Sequence, residues 1–535
     1  MEWLETQYQL HKDREFLNHL TFGDVYERVQ TVAAKLAGAV SAVSSEPNSV
    51  VTVDGVGGAR PDGAYFMIGD IAPMNHRVGL LWDNSVDMAI YVLALLSLKQ
   101  QIVMINTHLR TAEIEKQLAQ LDVRIVVCSN EREQQVPKVL TRADTALDKT
   151  STVHEKIKIQ VWTEQFIESL PPIAVNLDKT VQDSDIAVIM NTSATTGSFK
   201  SVPLRWEQIK AHMAASKQVL CSYDHDRWLM VLPLFHVSGF SILMRSLYNG
   251  TAVEIMGKYD EAQVAKLIET GAVNMVSLVP TILSSLVKRI NTHHMRVILL
   301  GGEYIPLELV KVCKEKSLPI YKTYGMTETF SQSVTFSVLD HEDKIDSVGL
   351  PLPGMEIYIV NPDADGIGEI HLRGPMLMSG YIGREPITGA FNTDDIGYVD
   401  DDGYVYVLNR RKDIIISGGE NIYPKEIEDA LYELPYVKEC AVVPVADEKW
   451  GQVPALFVAL QEVGNEASGK TPTEDKQAEN IQTESTQAEY PYIEVQLLQF
   501  LRSRFATYKI PKYIRILPEL PRNGTGKILR KDLHI

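Results

Sequence analysis

The sequence predicts an α/β protein with a large, mostly parallel sheet flanked by helices and followed by a β-rich part. Two observations carry this prediction. Short apolar runs rich in β-branched residues alternate with helical patterns between residues 76 and 321, and a series of short strand patterns begins at Gly368. Consecutive strand–helix–strand units favour parallel strands, and ligands bind such sheets beyond the carboxyl ends of the strands. Functional side chains are therefore expected in the loops at that edge.

The individual elements follow from local periodicity and capping signals. Thr21 to Asp24 caps the first helix, whose apolar stripe runs from Val25 to Leu36. Further helices are predicted over residues 86–99, 111–121, 206–220, 237–247 and 260–270. Strands are predicted over residues 77–85, 101–106, 123–128, 186–190, 228–234, 252–256, 275–278, 296–300, 320–321 and 368–372.

Two segments are predicted to be insertions. Residues 41–70 include Gly55, Gly57 and Gly58, but Pro61 follows these three and no helix start does, so a surface hairpin or insertion is favoured over a dinucleotide-binding loop. Residues 462–489 are poor in apolar side chains and rich in Glu, Gln, Thr and Ser, which is typical of a flexible insertion.

The composition limits the class of protein. A chain of 535 residues is long enough for roughly two to four domains. Its net charge of −17 argues against nonspecific binding to nucleic acid or to anionic membranes, because both need a basic footprint. The longest apolar run, residues 88–98, is shorter than a membrane span, and the N-terminus has no signal-peptide pattern. Four widely spaced cysteines indicate neither a disulfide framework nor a zinc site, so a cytoplasmic location is expected.

The most informative stretch is Asp185 to Leu204. A buried strand over 186–190 is followed by a decapeptide, Asn191 to Lys200, with five hydroxyl side chains, a glycine and a lysine. Hydroxyl and backbone N–H donors around a cation suit a polyphosphate. A Walker-type loop is excluded, because Ser198 and Phe199 separate Gly197 from Lys200. Taken alone, the decapeptide also fits a polar surface loop.

Four later segments have the residue types that nucleotide chemistry needs. Tyr324 to Glu328 combines an aromatic ring, a hydroxyl and a carboxylate, which can stack on a base, contact a phosphate and hold Mg²⁺. Thr393 to Gly397 offers carboxylates for a ribose diol. Arg410 to Asp413, followed by a Gly-Gly turn, suits a hinge between β-rich segments, and Pro521 to Leu529 places Lys527 after a Gly-x-Gly loop.

In this order the five segments resemble the adenylate-forming superfamily, which includes acyl-CoA synthetases, aryl-CoA ligases, luciferases and the adenylation domains of peptide synthetases. The resemblance extends from about Thr21 to Leu533. It implies a large N-terminal domain, residues 1–410, that binds ATP and a carboxylic acid, and a small, mobile α+β C-terminal domain, residues 411–535. It also implies two half-reactions: adenylation with ATP and Mg²⁺, and then transfer of the acyl group to coenzyme A.

The resemblance assigns roles residue by residue. It implies that Tyr324 stacks on adenine, that Thr327 touches the α-phosphate and that Glu328 holds Mg²⁺. It implies that Asp395 and Arg410 bind the ribose hydroxyls, that Lys412 lies at the hinge and that Lys527 bridges the acid and the α-phosphate during adenylation. Gly302 would bring backbone close to adenine and acid. The loop over the β- and γ-phosphates would be formed by Thr192, Ser193, Thr195, Thr196, Gly197 and Lys200.

The chain departs from the family pattern at four positions. Ala194, Phe199 and Ser201 stand where the phosphate loop of the family commonly has Gly, Pro and Gly, and Asp394 replaces a glycine in the family's T-G-D. A Cβ costs about 1 to 2 kcal/mol where a glycine had positive φ, so Ala194 predicts an altered loop and weaker ATP binding. Because Gly197, Lys200 and the other motifs persist, an active enzyme is favoured over a degenerate one.

The acid is predicted from a closer resemblance within the superfamily. Residues 226–253, 323–335, 411–427 and 447–454 are similar to the acid–CoA ligases of menaquinone synthesis, which act on an aromatic keto-dicarboxylic acid. The aliphatic carboxylate would be activated and the ring carboxylate would be recognised. His236 and Gly239 would shape the approach of acyl group and thiol, and His236 is also a catalytic candidate. Ser331, Gln332 and Thr335 offer hydroxyl and amide groups, while Arg245 either attracts the spare carboxylate or is an ordinary solvated helix residue.

Three other functions fit parts of the sequence. A medium- or long-chain fatty acyl-CoA synthetase would have an apolar tunnel without a counter-charge. A peptide-synthetase adenylation domain would use an aspartate for the amino group and would adjoin a carrier domain. A non-catalytic nucleotide-binding module would explain Ala194. The partners expected in the favoured case are small molecules, namely ATP, the acid and CoA, without nucleic acid or a membrane span, and the resemblance allows a homodimer.

Overall fold

The computed structural model describes residues 2–44, 77–143, 154–173, 181–193, 199–303, 305–410, 413–417, 420–447, 450–461, 491–505, 507–522 and 527–535. Most of the predicted 41–70 insertion, all of the 462–489 insertion and residues 194–198 lie outside these ranges. Within them, no helix is both long and apolar enough to cross a bilayer.

The strands are, in chain order, β1 Glu15–Leu17, β2 Leu20–Thr21, β3 Arg77–Leu81, β4 Gln101–Met104, β5 Ile125–Cys128, β6 Val139–Ala143, β7 His154–Lys158, β8 Gln160–Thr163, β9 Ile186–Ser193, β10 Phe199–Arg205, β11 Arg227–Met230, β12 Ala252–Ile255, β13 Met275–Leu278, β14 Val297–Leu300, β15 Ile320–Met326, β16 Ser331–Ser337, β17 Leu350–Pro351, β18 Glu356–Val360, β19 Gly368–Arg373, β20 Phe391–Val399, β21 Val405–Arg410, β22 Ile415–Ser417, β23 Glu420–Ile422, β24 Val437–Asp447, β25 Gly451–Leu460 and β26 Tyr513–Leu517.

The helices are α1 Glu2–His11, α2 Phe22–Ser44, α3 Val86–Ser97, α4 Thr111–Gln120, α5 Glu164–Ser169, α6 Trp206–Leu220, α7 Val237–Asn249, α8 Glu261–Glu269, α9 Pro280–Leu286, α10 Leu307–Glu315, α11 Pro424–Tyr432 and α12 Pro491–Arg502.

Two large sheets carry the ends of the predicted phosphate loop and residues Tyr324 to Met326. The first has nine strands in the order β17-β16-β15-β14-β13-β11-β12-β1-β2, and the run from β15 to β1 is parallel. The second has six strands in the order β10-β9-β4-β3-β5-β8 and is parallel except for β10. Buried helices such as α3, in which every residue from Met88 to Ser97 is buried, pack in the core beside these sheets. The predicted α/β fold is confirmed.

Two smaller sheets form the β-rich part. One has four strands in the order β18-β19-β20-β21. The other has five strands, with β24 and β25 forming a long antiparallel ribbon and β26 pairing parallel to β25. Helices α11 and α12 cover the second of these sheets through a core that includes Ile427, Leu431, Leu497 and Leu501. A predicted β-rich segment and a small α+β domain are both present.

Three predicted strand boundaries were wrong for identifiable reasons. The strand from Arg77 ends at Leu81, because Ser85 caps α3 by accepting a hydrogen bond from the Met88 N–H (3.0 Å). The strand predicted over 228–234 ends at Met230, and Pro233 has no N–H for a sheet ladder. The strand predicted over 320–321 continues to Met326, because it pairs with β16.

The packing divides the chain into two compact units. The first comprises Met1–Tyr304, Cys313–Ile357 and Leu372–Phe391, and the second comprises Ile305–Val312, Tyr358–His371 and Asn392–Ile535. The predicted domain boundary at residue 410 marks a hinge about which one domain would rotate. The two compact units are defined by packing within each unit, so they do not test the hinge, and the boundary remains a prediction.

Candidate active site

The candidate phosphate loop joins two paired strands. In the β9–β10 ribbon Lys200 lies opposite Thr192 and Phe199 lies opposite Ser193, so both ends of the loop are fixed. Thr195, Thr196 and Gly197 lie outside the described residues, as do Ala194 and the side chain of Ser193. Ser201, which replaces a family glycine, is buried and donates a hydrogen bond to Asn191 Oδ1 (2.6 Å). This substitution is therefore accommodated within the ribbon.

Tyr381 connects the predicted phosphate lysine to the predicted metal ligand. Lys200 Nζ lies 5.2 Å from the centre of the Tyr381 ring, and the Tyr381 hydroxyl donates to Glu328 Oε1 (2.7 Å). The backbone on either side of the ring is also held, because the Ile382 N–H donates to the Ser201 carbonyl and the Met378 N–H donates to the Glu328 carbonyl. One aromatic side chain thus brings Lys200 and Glu328 to the same place.

Sequence reasoning missed Tyr381. The only signal was the surrounding Ser379-Gly380-Tyr381-Ile382-Gly383, whose glycines mark a turn but carry no chemistry of their own. Gly380 and Gly383 both have positive φ, as such a turn requires.

The Tyr324–Glu328 pentapeptide ends a strand instead of following one. Tyr324, Gly325 and Met326 are the last residues of β15, and Thr327 opens a single 3₁₀ turn that contains Glu328. The neighbouring strand β14 ends at Leu300, and Gly302 follows it with φ of +83°, a conformation that favours glycine. Tyr324 and Gly302 thus belong to the carboxyl ends of adjacent parallel strands, where the fold is expected to bind ligands.

His236 and Gly239 begin helix α7. His236 is the N-cap residue, and its carbonyl accepts hydrogen bonds from the N–H groups of Gly239 and Phe240. A Cβ at position 239 would lie 2.2 Å from the Pro233 carbonyl oxygen, which no real contact allows. Gly239 therefore has a packing role: it lets α7 approach the chain that precedes it. The role in shaping the acyl path stays a prediction.

Arg245 lies in the protein core. It is 2% exposed, its guanidinium lies 4.7 Å from the centre of the Trp228 ring, and it donates from Nε to Ser216 Oγ (3.1 Å) and from Nη2 to Gln332 Oε1 (2.9 Å). The solvated-helix interpretation of Arg245 is therefore wrong. No ion pair among the described residues includes Arg245, and within the same residues Nη1 has no hydrogen-bond partner. Burial lowers the pKa of Arg245 to about 9, so it is still a cation at neutral pH.

Gln332 and Thr335 extend the network from Arg245 towards β15. Gln332 Oε1 also accepts from the Ser216 hydroxyl (2.8 Å), and Gln332 Nε2 donates to Thr335 Oγ1 (2.9 Å). Thr335 in turn donates to Thr323 Oγ1 (2.9 Å). Ser331 lies opposite Met326 across the β15–β16 pair. The structure thus brings three of the predicted acid-binding residues, Arg245, Gln332 and Thr335, into one buried network.

His212 is a second residue that the sequence did not reveal. It is fully buried on α6, it accepts the Gln332 N–H at Nε2 (3.1 Å), and its ring meets Phe330 edge-on at 5.3 Å. Burial, together with the nearby Arg245 cation, holds the pKa of His212 well below its ordinary value. Since Nε2 accepts a hydrogen bond, the neutral ring carries its proton on Nδ1.

We expect His212 to make the protein sensitive to acid. Below pH 6.5 the unfolded chain gains a proton that the folded chain does not, so the free energy of unfolding falls by about 1.4 kcal/mol for each pH unit between 6.5 and the lower folded-state pKa. His212→Gln should flatten this dependence in urea unfolding between pH 6.5 and 5.5. The exposed His294→Gln serves as the control, and equal slopes in all three proteins would contradict the expectation.

Asp395 and Arg410, the predicted ribose ligands, are partners in the β20–β21 pair. Asp395 is buried, and its N–H donates to Thr393 Oγ1 (3.1 Å). Asp394 has φ of +63°, a backbone conformation that favours glycine, which is the residue that the family has at this position. The side chain of Arg410 and all of Lys412 lie outside the described residues.

Lys527 is exposed and lies next to a short antiparallel contact between Arg522 and Ile528. The Leu529 N–H donates to the Pro521 carbonyl (2.7 Å), so the residues that flank the lysine are held together. Its catalytic role stays a prediction.

No group of three or more His, Cys, Asp or Glu side chains suited to a metal occurs among the described residues. In nucleotide enzymes, one or two carboxylates and the substrate phosphates bind Mg²⁺. Glu328 is a suitable single carboxylate, since the Tyr381 hydroxyl orients one oxygen and no ion pair within the described ranges uses the other.

Comparison with known protein families gives two matches. Residues 72–382 match the family described as AMP-binding enzyme, and residues 426–527 match the AMP-binding enzyme C-terminal domain. The first range includes Asp185–Leu204 and Tyr324–Glu328, and the second extends to Lys527. Thr393–Gly397 and Arg410–Asp413 lie between the two ranges.

Individual relatives and structures agree with these matches. The chain is 44% identical over 533 residues to a 2-succinylbenzoate–CoA ligase of Lactococcus lactis, covering 100% of both chains. It is 33% identical to a ligase of the same name from Staphylococcus aureus, covering 86% of this chain and 90% of the relative.

Solved structures of the Bacillus subtilis o-succinylbenzoate CoA synthetase superpose on nearly the whole chain. The complex with the acyl-adenylate intermediate has a TM-score of 0.77 at 30% identity, covering 99% of this chain and 97% of the other. The complex with ATP and magnesium has a TM-score of 0.76 at 29% identity, covering 99% of each. Since the family model matches more than half of the chain, and a relative matches all of it, the chain belongs to the AMP-binding enzyme family.

Proposed function

We propose that this chain is an ATP-dependent acid–CoA ligase that converts 2-succinylbenzoate to its CoA thioester in menaquinone synthesis. ATP and the aliphatic carboxylate would give an acyl-adenylate and pyrophosphate. CoA would then take the acyl group and release AMP. The relatives with this name, one of which aligns with the entire chain, support the proposal.

The observation that carries the choice of acid is the buried cation of Arg245. A guanidinium that is 2% exposed, with Nη1 unpartnered among the described residues, provides the counter-charge that a second carboxylate needs. A fatty acid has no group for this cation, and a buried cation left without an anion is costly. The geometry therefore favours an aromatic dicarboxylic acid over the fatty acid of the main alternative.

The chemistry of the first half-reaction explains the other residues. A carboxylate oxygen attacks the α-phosphorus of ATP, the bond from that phosphorus to the bridging oxygen breaks, and pyrophosphate leaves. Because the carboxylate and the α-phosphate are both anionic, catalysis requires that the two groups be held in position and that nearby positive charge offset their repulsion. Lys200 would neutralise the phosphates, Lys527 would bridge acid and α-phosphate, and Tyr324, Thr327, Asp395 and Arg410 would hold the nucleotide. A Mg²⁺ ion on Glu328 would supply further charge neutralisation at the phosphates.

The second half-reaction uses the thiol of CoA. The sulfur attacks the acyl carbon, the bond from that carbon to the phosphate oxygen breaks, and AMP leaves with that oxygen. His236 and Gly239, at the start of α7, would border the path of the thiol, and rotation about Lys412 would separate the two half-reactions. Because ATP and CoA are cytoplasmic metabolites, we place the reaction in the bacterial cytoplasm. A homodimer belongs to the same proposal and can be tested by light scattering.

Isotope exchange between ATP and pyrophosphate tests the function. The purified protein would be assayed with Mg²⁺ and a panel of acids that includes 2-succinylbenzoate, fatty acids of eight to sixteen carbons and amino acids. Exchange with 2-succinylbenzoate, and thioester formation once CoA is added, is the expected result. Exchange with fatty acids alone would transfer the assignment to a fatty acyl-CoA synthetase, and no exchange with any acid would favour a non-catalytic module.

A further inference from the structure

The residues on either side of Lys527 are each attached to a buried carboxylate. We call residues 520–522 and 527–530 the Lys527 base. Arg522, before the lysine, pairs with Glu439 on β24, and Arg530, after it, pairs with Glu428 on α11. Glu439 is 7% exposed and Glu428 is 2% exposed. Both carboxylates and both arginines lie in the second compact unit, as does the lysine itself.

The contact after the lysine has the better defined geometry. Arg530 binds Glu428 through two parallel hydrogen bonds, Nη1 to Oε1 (2.6 Å) and Nη2 to Oε2 (2.8 Å). Arg530 Nη1 also donates to the Val442 carbonyl (2.8 Å), while the Val442 N–H donates to Glu428 Oε1 (2.6 Å). A bidentate pair of this kind fixes orientation as well as distance. Burial acts to lower the pKa of Arg530, but the charge and hydrogen bonds of Glu428 raise it above its ordinary value.

The contact before the lysine is built in the same way. Glu439 accepts the Leu520 N–H at Oε1 (3.0 Å) and pairs with Arg522 through Oε2. The two parts of the base are then joined to each other, because Arg522 and Ile528 form a β-bridge and the Leu529 N–H donates to the Pro521 carbonyl. The backbone at residues 527–529 is therefore fixed to both α11 and β24.

We propose that Glu428 and Glu439 are positioning residues for adenylation, which hold the backbone of Lys527 through Arg530 and Arg522. The inference rests on the catalytic role that the proposed function gives to Lys527. A lysine has a long stem with many rotamers, so its ammonium can be aimed only if the backbone that carries it is held. Misplacement of a reacting group by about 1 Å can lower a rate by about 10²-fold.

A matched control is available on the same helix. Arg504 forms an ion pair with Glu433, the C-cap residue of α11, at 2.5 Å, and both side chains are 41% exposed. Among the described residues, no hydrogen bond or ion pair joins this pair to the Lys527 base. Arg504→Ala removes an arginine–glutamate pair from α11 without affecting the base, and Arg530→Lys keeps the charge of Arg530 while losing the bidentate geometry.

The first test compares the two half-reactions in single-turnover assays of the full chain. We expect Arg530→Ala to lower acyl-adenylate formation by roughly 10- to 100-fold, and to leave CoA transfer from pre-formed adenylate within about threefold of the unmodified protein, since that step does not use Lys527. When Lys527 is already replaced by alanine, Arg530→Ala should lower the rate of adenylate formation by less than about twofold further. The effects of substitutions at two coupled residues do not simply add. Equal losses in both half-reactions, or the same fold loss with and without Lys527, would show a general structural role and overturn the inference.

The second test does not depend on activity. Hydrogen–deuterium exchange of the Leu529 amide should accelerate by about tenfold or more in Arg530→Ala, to a smaller extent in Arg530→Lys, and not in Arg504→Ala. Unchanged exchange at Leu529 in Arg530→Ala would overturn the inference. If the unmodified chain forms no adenylate from 2-succinylbenzoate, the proposed function fails, whereas the exchange measurement still decides whether the base is held by Glu428.

Discussion

Lys527→Ala should lower the rate of acyl-adenylate formation from ATP and 2-succinylbenzoate by about 10²- to 10³-fold or more. The ammonium is assigned to the point at which the carboxylate and the α-phosphate, both anionic, come together, and the cation has its largest effect there because charge accumulates in the transition state. CoA transfer from separately prepared acyl-adenylate should change little, because the carboxylate no longer carries a charge. Rapid-quench measurement of the two half-reactions gives both rates.

Lys531→Ala is the control for this substitution, since Lys531 is an exposed lysine four residues further along the chain. It should leave both half-reactions close to those of the unmodified protein. Adenylation that proceeds normally in Lys527→Ala would remove this residue from the mechanism. Equal losses in the two half-reactions would contradict its specific role in the first.

Arg245→Met should raise the KM for 2-succinylbenzoate by about 10- to 150-fold. The range follows from the loss of one charge-assisted hydrogen bond, about 1.5 to 3 kcal/mol, at tenfold for every 1.4 kcal/mol. Methionine fills much of the space of arginine, so the packing against Trp228 is largely kept while the cation is lost. Steady-state kinetics with varied acid at saturating ATP and CoA measures the effect.

The matched control for Arg245→Met is a second substrate. The analogue of 2-succinylbenzoate that lacks the ring carboxylate keeps the reacting carboxylate and the ketone, but it gives Arg245 nothing to bind. The unmodified protein should prefer the natural acid, and Arg245→Met should lose most of this preference. If the variant weakens both acids equally, Arg245 supports the fold of the site without recognising the acid.

The backbone pattern was accessible from the sequence because it depends on local signals. Helix α6 and strand β13 have the predicted bounds, since each is a clean periodic segment with a clear start and end. The predicted strand boundaries were wrong where a tertiary contact determines the end of the strand. Strand β15 continues to Met326 because β16 pairs with it, and the residues from Tyr324 to Met326 contain no local pattern that predicts this pairing.

The residue types of the candidate site could be named from the sequence, but the contacts between them could not. The motifs predict Lys200 and Glu328 as parts of one ATP site, yet the residue that contacts both, Tyr381, lies in a turn with no chemical signature. Helical spacing could not decide whether Arg245 is solvated or buried. That question is settled by Trp228, Ser216 and Gln332, which come from three different elements.

Attack of the aliphatic carboxylate on the α-phosphorus of ATP is tested most directly by oxygen transfer. 2-Succinylbenzoate labelled with ¹⁸O in the aliphatic carboxylate would be converted completely to the thioester with ATP, Mg²⁺ and CoA, and the AMP would be analysed by mass spectrometry. If an acyl-adenylate is formed and then cleaved by CoA, one labelled oxygen appears in the phosphate of AMP. AMP without label, or ADP in its place, would contradict the account.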